Sequence, residues 1–308
     1  MADLILISIR FALFANLMLI VGLAAFILYA LGPAEREEGA MVAIVARPQA
    51  WLCGGGLALS FSGMAVLTAN MQGIGVFAVD PAMFAQMVRH TDVGTAWLAR
   101  MAALFIALAA ARSVAARPTL SASILAITGS IALTTLVWSG HAGASEGTAG
   151  TLHRINDAFH MIAAAVWFGA IAAFLLLMRP GAEPASRRLA CAARSLDQFA
   201  RVGTICVLII VATGLVNSQM IVGVQNISRS LSTPYGQLLI AKLGLFALML
   251  ALAAANRWRL TPALKVALDV ADPGTTIRAI RKSLILEALA AAAILALVAW
   301  LGTLEPVP

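Results

Sequence analysis

The sequence predicts an all-α membrane protein, a polytopic bundle of eight transmembrane helices. Of its 308 residues, 61% are hydrophobic and only 11% are charged, where a soluble domain carries about 25% charge. Apolar runs recur from one end of the chain to the other, each near the roughly 20 residues needed to cross a bilayer. The runs are continuous rather than alternating, which excludes a transmembrane β-barrel.

The first span covers 3–31 and is stopped by Gly32-Pro33. It begins Met1-Ala2-Asp3 with no basic stretch ahead of it, so it reads as a retained span rather than a removable signal peptide. The second covers 50–70, and the glycines at 54–56 within it read as a site of close helix packing. A connection over 71–93 is too polar to span and has room for a short surface helix. The third span covers 94–113, and Arg117-Pro118 turns the chain into the fourth, 119–140. A small glycine-rich loop, 142–150, leads to the fifth, 151–178, which Arg179-Pro180-Gly181 closes. The sixth, seventh and eighth cover 197–220, 235–258 and 283–303. No internal repeat is visible, and the chain is read as a single integral-membrane domain over 1–308.

Loop charges orient the bundle. The 3–4, 5–6 and 7–8 connections hold most of the arginine and lysine, whereas the opposite loops hold only Arg89, Arg154 and Arg229. The positive-inside rule puts the rich set in the cytoplasm, so both termini are expected in the periplasm. In the 1–2 loop, Glu35, Glu37 and Glu38 offset Arg36 and Arg47. The net charge of +7 is thereby accounted for by topology. No basic block or aromatic-interleaved basic face points to nucleic acid. The three cysteines, Cys53, Cys191 and Cys206, show no CxxC spacing, so neither a zinc site nor a disulfide framework is expected. No nucleophile–base pair or phosphate loop is present, and an enzyme is not expected.

Three of the four histidines fall within twenty residues: His141, His153 and His160. His153, Asp157 and His160 stand at i, i+4 and i+7, one stripe of a helix. His141 ends the preceding span, and a tight hairpin would bring it to face that stripe. Two imidazoles and a carboxylate in a membrane suit a metal, a haem or a proton. His153, nearest the water, reads equally as a ligand or as a solvated side chain. Trp167, two turns below His160, reads as the floor of such a site or as ordinary packing.

A second set has the same period. Met83, Met87 and His90 stand at i, i+4 and i+7 in the 2–3 connection, and Met64 and Met71 at i and i+7 in span 2. Thioether and imidazole are soft enough for Cu(I). These five are a candidate access route for metal, beside the alternative of methionines packed on the bundle. Arg10, Arg100 and Lys242 lie within spans, with Asp157 the one carboxylate at similar depth. Arg100, Lys242 and Trp167 are candidate outer partners of the site, Arg100 by orienting Asp157. Glu287 is expected to pair with Arg201 or Arg257.

Several separated motifs resemble the copper resistance protein D (CopD, PcoD) family. They are Trp138-Ser139-Gly140-His141-Ala142, Asp157-Ala158-Phe159-His160 with Trp167-Phe168-Gly169, and Ala212-Thr213-Gly214-Leu215-Val216-Asn217. Thr233-Pro234-Tyr235-Gly236, Lys242, Ala255-Asn256-Arg257, Arg281, Glu287 and Pro306 continue the pattern. The resemblance is strongest over 95–308. It implies a bacterial inner-membrane protein that moves copper, often beside a periplasmic copper-binding partner of the CopC type. Some family members carry a fused CopC-like domain, for which this chain has no room. The family's histidine motifs map onto His141 and His160, with Asp157 and Trp167 next to them; His153 and the methionines are extensions from spacing alone.

The expected function is copper transport, with uptake into the cytoplasm the direction that the family favours. The cargo is Cu(II) if histidine and carboxylate dominate the site, and Cu(I) if histidine and methionine do. Two alternatives stand beside it. One is a b-type cytochrome with a bis-histidine haem. The other is a sensor or structural subunit that binds copper without moving it.

Overall fold

A computed structural model describes residues 2–139, 147–179, 185–230, 232–269 and 274–304. Thirteen α-helices are described: α1 (Ala2–Ala30), α2 (Pro33–Glu38), α3 (Ala40–Ala46), α4 (Gln49–Gln72), α5 (Pro81–His90), α6 (Asp92–Arg112), α7 (Pro118–Thr134), α8 (Gly147–Leu177), α9 (Ala185–Ile221), α10 (Ile227–Ser230), α11 (Pro234–Ala255), α12 (Thr261–Asp269) and α13 (Gly274–Leu301). Eight stretches are long and apolar enough to cross a membrane, centred on α1, α4, α6, α7, α8, α9, α11 and α13. The eight expected spans are all present.

Local chemistry sets the boundaries. Thr91 and Thr233 each accept a hydrogen bond from a backbone N–H three residues on, at Gly94 (2.9 Å) and Gly236 (3.1 Å). These are N-caps, which satisfy one of the four donors a helix start leaves open. Pro118 and Pro234 stand at first helical positions, where no N–H is needed. Gly73 closes α4 in the left-handed region with φ of 65°. The surface helix expected in the 2–3 connection is α5, capped by Asp80.

α1 is the hub, packed against α4, α7, α8 and α13. Apart from Ser8, Arg10 and Asn16 it is apolar from Leu4 to Ala30, as a helix enclosed by neighbours requires. Small residues let those neighbours approach. A Cβ on Gly22 of α1 would fall 2.6 Å from the Cα of Gly169 on α8, so the two backbones cross in direct contact. Gly129 of α7 meets Ile20 and Val21 of α1, and Gly56 of α4 meets Asn16 of α1. Of the glycines at 54–56, positions 55 and 56 therefore act as the close-packing residues expected.

Three boundaries differ from the sequence expectation. α9 begins at Ala185 and α13 at Gly274, each well before its apolar window. Both extensions are rich in arginine, so hydropathy ends where charge begins while the helix runs on into water. α11 leaves regular geometry after Ala255 and passes through a π turn, Asn256–Leu260, into α12.

The arginine-rich end is laced by polar contacts. Glu35 accepts from Arg194 at 2.5 and 2.6 Å, and Glu38 pairs with Arg187. Arg188 and Arg281 donate to the carbonyls of Arg179 and Met178. Glu35 and Glu38 of the 1–2 connection are thus partners of the 5–6 arginines. Burial pushes the Glu35 carboxyl up, but the Gly32 N–H and the Arg194 guanidinium outweigh it, and the group sits below its ordinary value.

Candidate metal centre

At the other end of the bundle, the N-terminal half of α8 carries His153, Asp157 and His160. The three line one cavity of about 200 Å³, together with Arg10 of α1, Asn217 and Ser218 of α9, and Tyr235 and Lys242 of α11. His153 is 2% exposed. It is not the solvated interface histidine that its position in the sequence allowed.

The wall of the cavity is a polar network in an apolar bundle. Asn217 donates its amide to Asp157 Oδ1 at 3.1 Å. Asn156 donates to the Asn217 side-chain carbonyl at 2.8 Å and to the Thr213 backbone carbonyl at 3.0 Å. His160 Nδ1 lies 2.9 Å from Thr213 Oγ1, and the Thr213 hydroxyl donates to the carbonyl of Ile209. Since that hydroxyl has one proton, it accepts from His160. Nδ1 therefore carries the hydrogen, and Nε2 is the basic nitrogen available to a ligand.

Among the described residues, no three His, Cys, Asp or Glu side chains gather at metal-binding distance. The helix explains why. Residues 153 and 160 stand about 10 Å apart along the axis, seven rises of about 1.5 Å. The stripe is thus spread along the helix rather than gathered, and a compact site here draws a ligand from another element. His141 lies outside the described residues. The nearest described residue before it, Ser139, has its backbone carbonyl bound by Arg10 Nη1 at 3.2 Å. Arg10 thus ties the end of the fourth span to the cavity that His160 lines.

Two further cavities continue along the bundle. One of about 380 Å³ shares His160 and Lys242 with the first and runs to Trp167 through an apolar lining that includes Met18, Phe246 and Met249. Another of about 240 Å³ lies beyond Trp167 and is lined by Asn256, Arg257 and Glu287. Trp167 is buried, packs edge-on against Phe246 and lines both cavities. It stands between the two cavities.

The remaining candidates lie elsewhere. Arg100 is buried on α6 and donates to Thr135 Oγ1 at 3.4 Å. It does not reach Asp157; Asn217, on a neighbouring helix, takes that role. Met64 is buried in α4, Met71 is exposed at its end, and Met83 and His90 are exposed on α5 with Met87 half-buried. None of the five lines the cavity of His160. Glu287 does not pair with an arginine: it accepts from Asn256 Nδ2, and Arg257 turns instead to Ala200 O and Thr204 Oγ1. Sequence reasoning missed Asn156, Thr213 and Asn217 as site residues. Their signal was present, since Thr213 and Asn217 stand at i and i+4 within an apolar span.

Comparisons with known proteins agree over almost the whole chain. The profile of the copper resistance protein D-like N-terminal domain matches residues 1–151, and that of copper resistance protein D matches 193–301. Copper resistance protein D of Pseudomonas syringae pv. tomato is 39% identical over 99% of this chain and 98% of its own length. Inner membrane protein YebZ of Escherichia coli is 29% identical, over 80% of this chain and 81% of its own. Copper transport protein CutJ of Bacillus subtilis is 29% identical over 65% of this chain and 36% of its own length. No solved structure matches the chain.

Proposed function

The chain belongs to the copper resistance protein D family, and we propose that it carries copper ions across the bacterial inner membrane, from periplasm to cytoplasm. The observation that carries this reading is the polar cavity of α8 and α9, where His160 and Asp157 are held in fixed poses inside an apolar bundle. An intramembrane carboxylate and imidazole that share a cavity are a functional pair by default. The copper-transport name of the Bacillus relative and the inner-membrane name of the Escherichia relative support the cargo and the compartment.

In this reading the histidine end faces the periplasm, as the loop charges favour. Copper binds at His160 Nε2, the Asp157 carboxylate and His141, with His153 as a fourth ligand higher on the same helix. Met64, Met71, Met83, Met87 and His90 belong to helices at this end of the bundle and serve as an outer collecting surface. A CopC-type periplasmic protein is the proposed donor. Lys242 and Arg10 line the site as cations. They oppose a resting metal charge, which keeps the ion from being held too tightly to leave. The path inward runs below His160 and past Trp167.

Copper uptake into proteoliposomes tests the reading. Wild-type protein is expected to accumulate copper, and the His141→Ala/His160→Ala double variant to fall to the rate of protein-free vesicles. Full uptake by that variant would overturn the site. A haem absorption band at one equivalent per chain in the purified protein would overturn the copper reading itself.

A further inference from the structure

We infer that Glu287, midway along α13, is a proton-binding site that passes between carboxylic acid and carboxylate at the inner end of the row of cavities. The side chain is 2% exposed and lines the cavity beyond Trp167. Its described hydrogen-bond partner is a neutral amide, Asn256 Nδ2 on the π turn. π turns within helices are frequent at functional positions, and this one turns Asn256 toward α13.

The charged and polar groups around the cavity are few. Arg257, from the same π turn, spends its guanidinium on Ala200 O and Thr204 Oγ1 of α9. α8 contributes Trp167 and α12 contributes Thr261. On the α1 side, Tyr29 stacks on Phe199 behind the cavity wall, and Arg10 sits at the far end of α13 beside Gly302. Ser283 stands one turn before Glu287 on α13. No cation is thus aimed at the carboxylate among the described residues, and an isolated buried carboxylate is costly in such surroundings.

Two unsatisfied atoms flank Glu287. The Trp167 indole N–H faces the carboxylate but closes no hydrogen bond. Asn256 Oδ1 is a buried acceptor without a donor. One protonation state of Glu287 completes each of them. As an acid, its O–H donates to Asn256 Oδ1 while Asn256 Nδ2 donates back, a two-bond ring. As a carboxylate, it keeps the Nδ2 bond and takes the Trp167 N–H as its second. The proton adds to a carboxylate oxygen lone pair and returns to water at the arginine-rich end, where the cavity is lined by the exposed Arg257 and Trp258. Trp167 also forms the floor of the cavity that His160 lines, so the state of Glu287 is felt on the copper path.

Infrared difference spectra of the purified full-length protein across a pH jump test this inference without copper. The wild type is expected to show the carbonyl stretch of a protonated, buried carboxylic acid that declines as pH rises, and the near-isosteric Glu287→Gln to lack it. Trp167→Phe, which deletes the donor to the ionised form, is expected to reduce the ionised fraction at a fixed pH. An unchanged band in Glu287→Gln, or a wild-type spectrum without one, would overturn it. Should Glu287→Gln fail to fold, an unshifted titration in Trp167→Phe has the same force.

Discussion

The hydroxyl of Thr213 sets the tautomer of His160. Its single proton goes to the carbonyl of Ile209, one turn back on α9, and its lone pair receives His160 Nδ1–H at 2.9 Å. In the proposed site, such a threonine on the next helix would fix the ring orientation of His160 and choose which nitrogen is basic.

Thr213→Val is nearly isosteric and removes this contact together with the hydroxyl's own bond to the Ile209 carbonyl. Copper affinity, measured by competition with a chelator of known strength, is expected to fall about 10–100-fold, the range seen when the outer partner of a ligand is lost. Thr213→Ser is expected to restore most of it. Equal affinities in wild type and Thr213→Val would remove His160 from the site.

The crossing of α1 and α8 has no room for side chains at Gly22 and Gly169. Gly22→Leu is expected to destabilise the bundle beyond the roughly 1–3 kcal/mol typical of overpacking, because backbone rather than a movable side chain stands in the way. Thermal unfolding in detergent checks this. Gly54→Leu, where a Cβ meets nothing within 4 Å, serves as the control and is expected to be near neutral.

Glu35 gives the arginine-rich end an acid-sensitive latch. Its carboxyl is held below its ordinary value of 4.5, where burial is outweighed by Gly32 N–H and Arg194. A depressed carboxyl contributes stability above its unfolded value and loses it as pH falls through the folded one. The loss is therefore expected below about pH 4.5, and it is expected to be under about 1 kcal/mol because Arg194 is half exposed. Glu35→Gln is expected to flatten this acid limb in stability-versus-pH curves and to leave neutral stability little changed.

Hydropathy made the eight spans legible because an apolar run has one purpose in this composition. It did not show where α9 and α13 begin, since their arginine-bearing extensions are helical for reasons of continuity rather than burial. The stripe of His153, Asp157 and His160 was readable from period alone, and one cavity does receive all three. The partners of the buried charges were not readable. Arg100 goes to Thr135 and Glu287 to Asn256, whereas the sequence suggested Asp157 and an arginine. Pairing between helices depends on how each is rotated about its axis, and the apolar faces of α9 and α11 are too uniform to reveal that rotation. Asn217 was hidden for the same reason, although its i, i+4 relation to Thr213 was in plain view.

The hub position of α1 sets the order of assembly. α1 finds its tightest neighbour, α8, only after more than a hundred further residues have been made, and α13 later still. Until then its largely apolar surface has lipid or the insertion machinery for company, and the backbone contact at Gly22 and Gly169 waits on a helix not yet synthesised. The bundle therefore closes around α1 only once α8 and α13 have been made. A chain halted before α8 would hold two of the hub's four neighbours, α4 and α7, and lack the one that locks it.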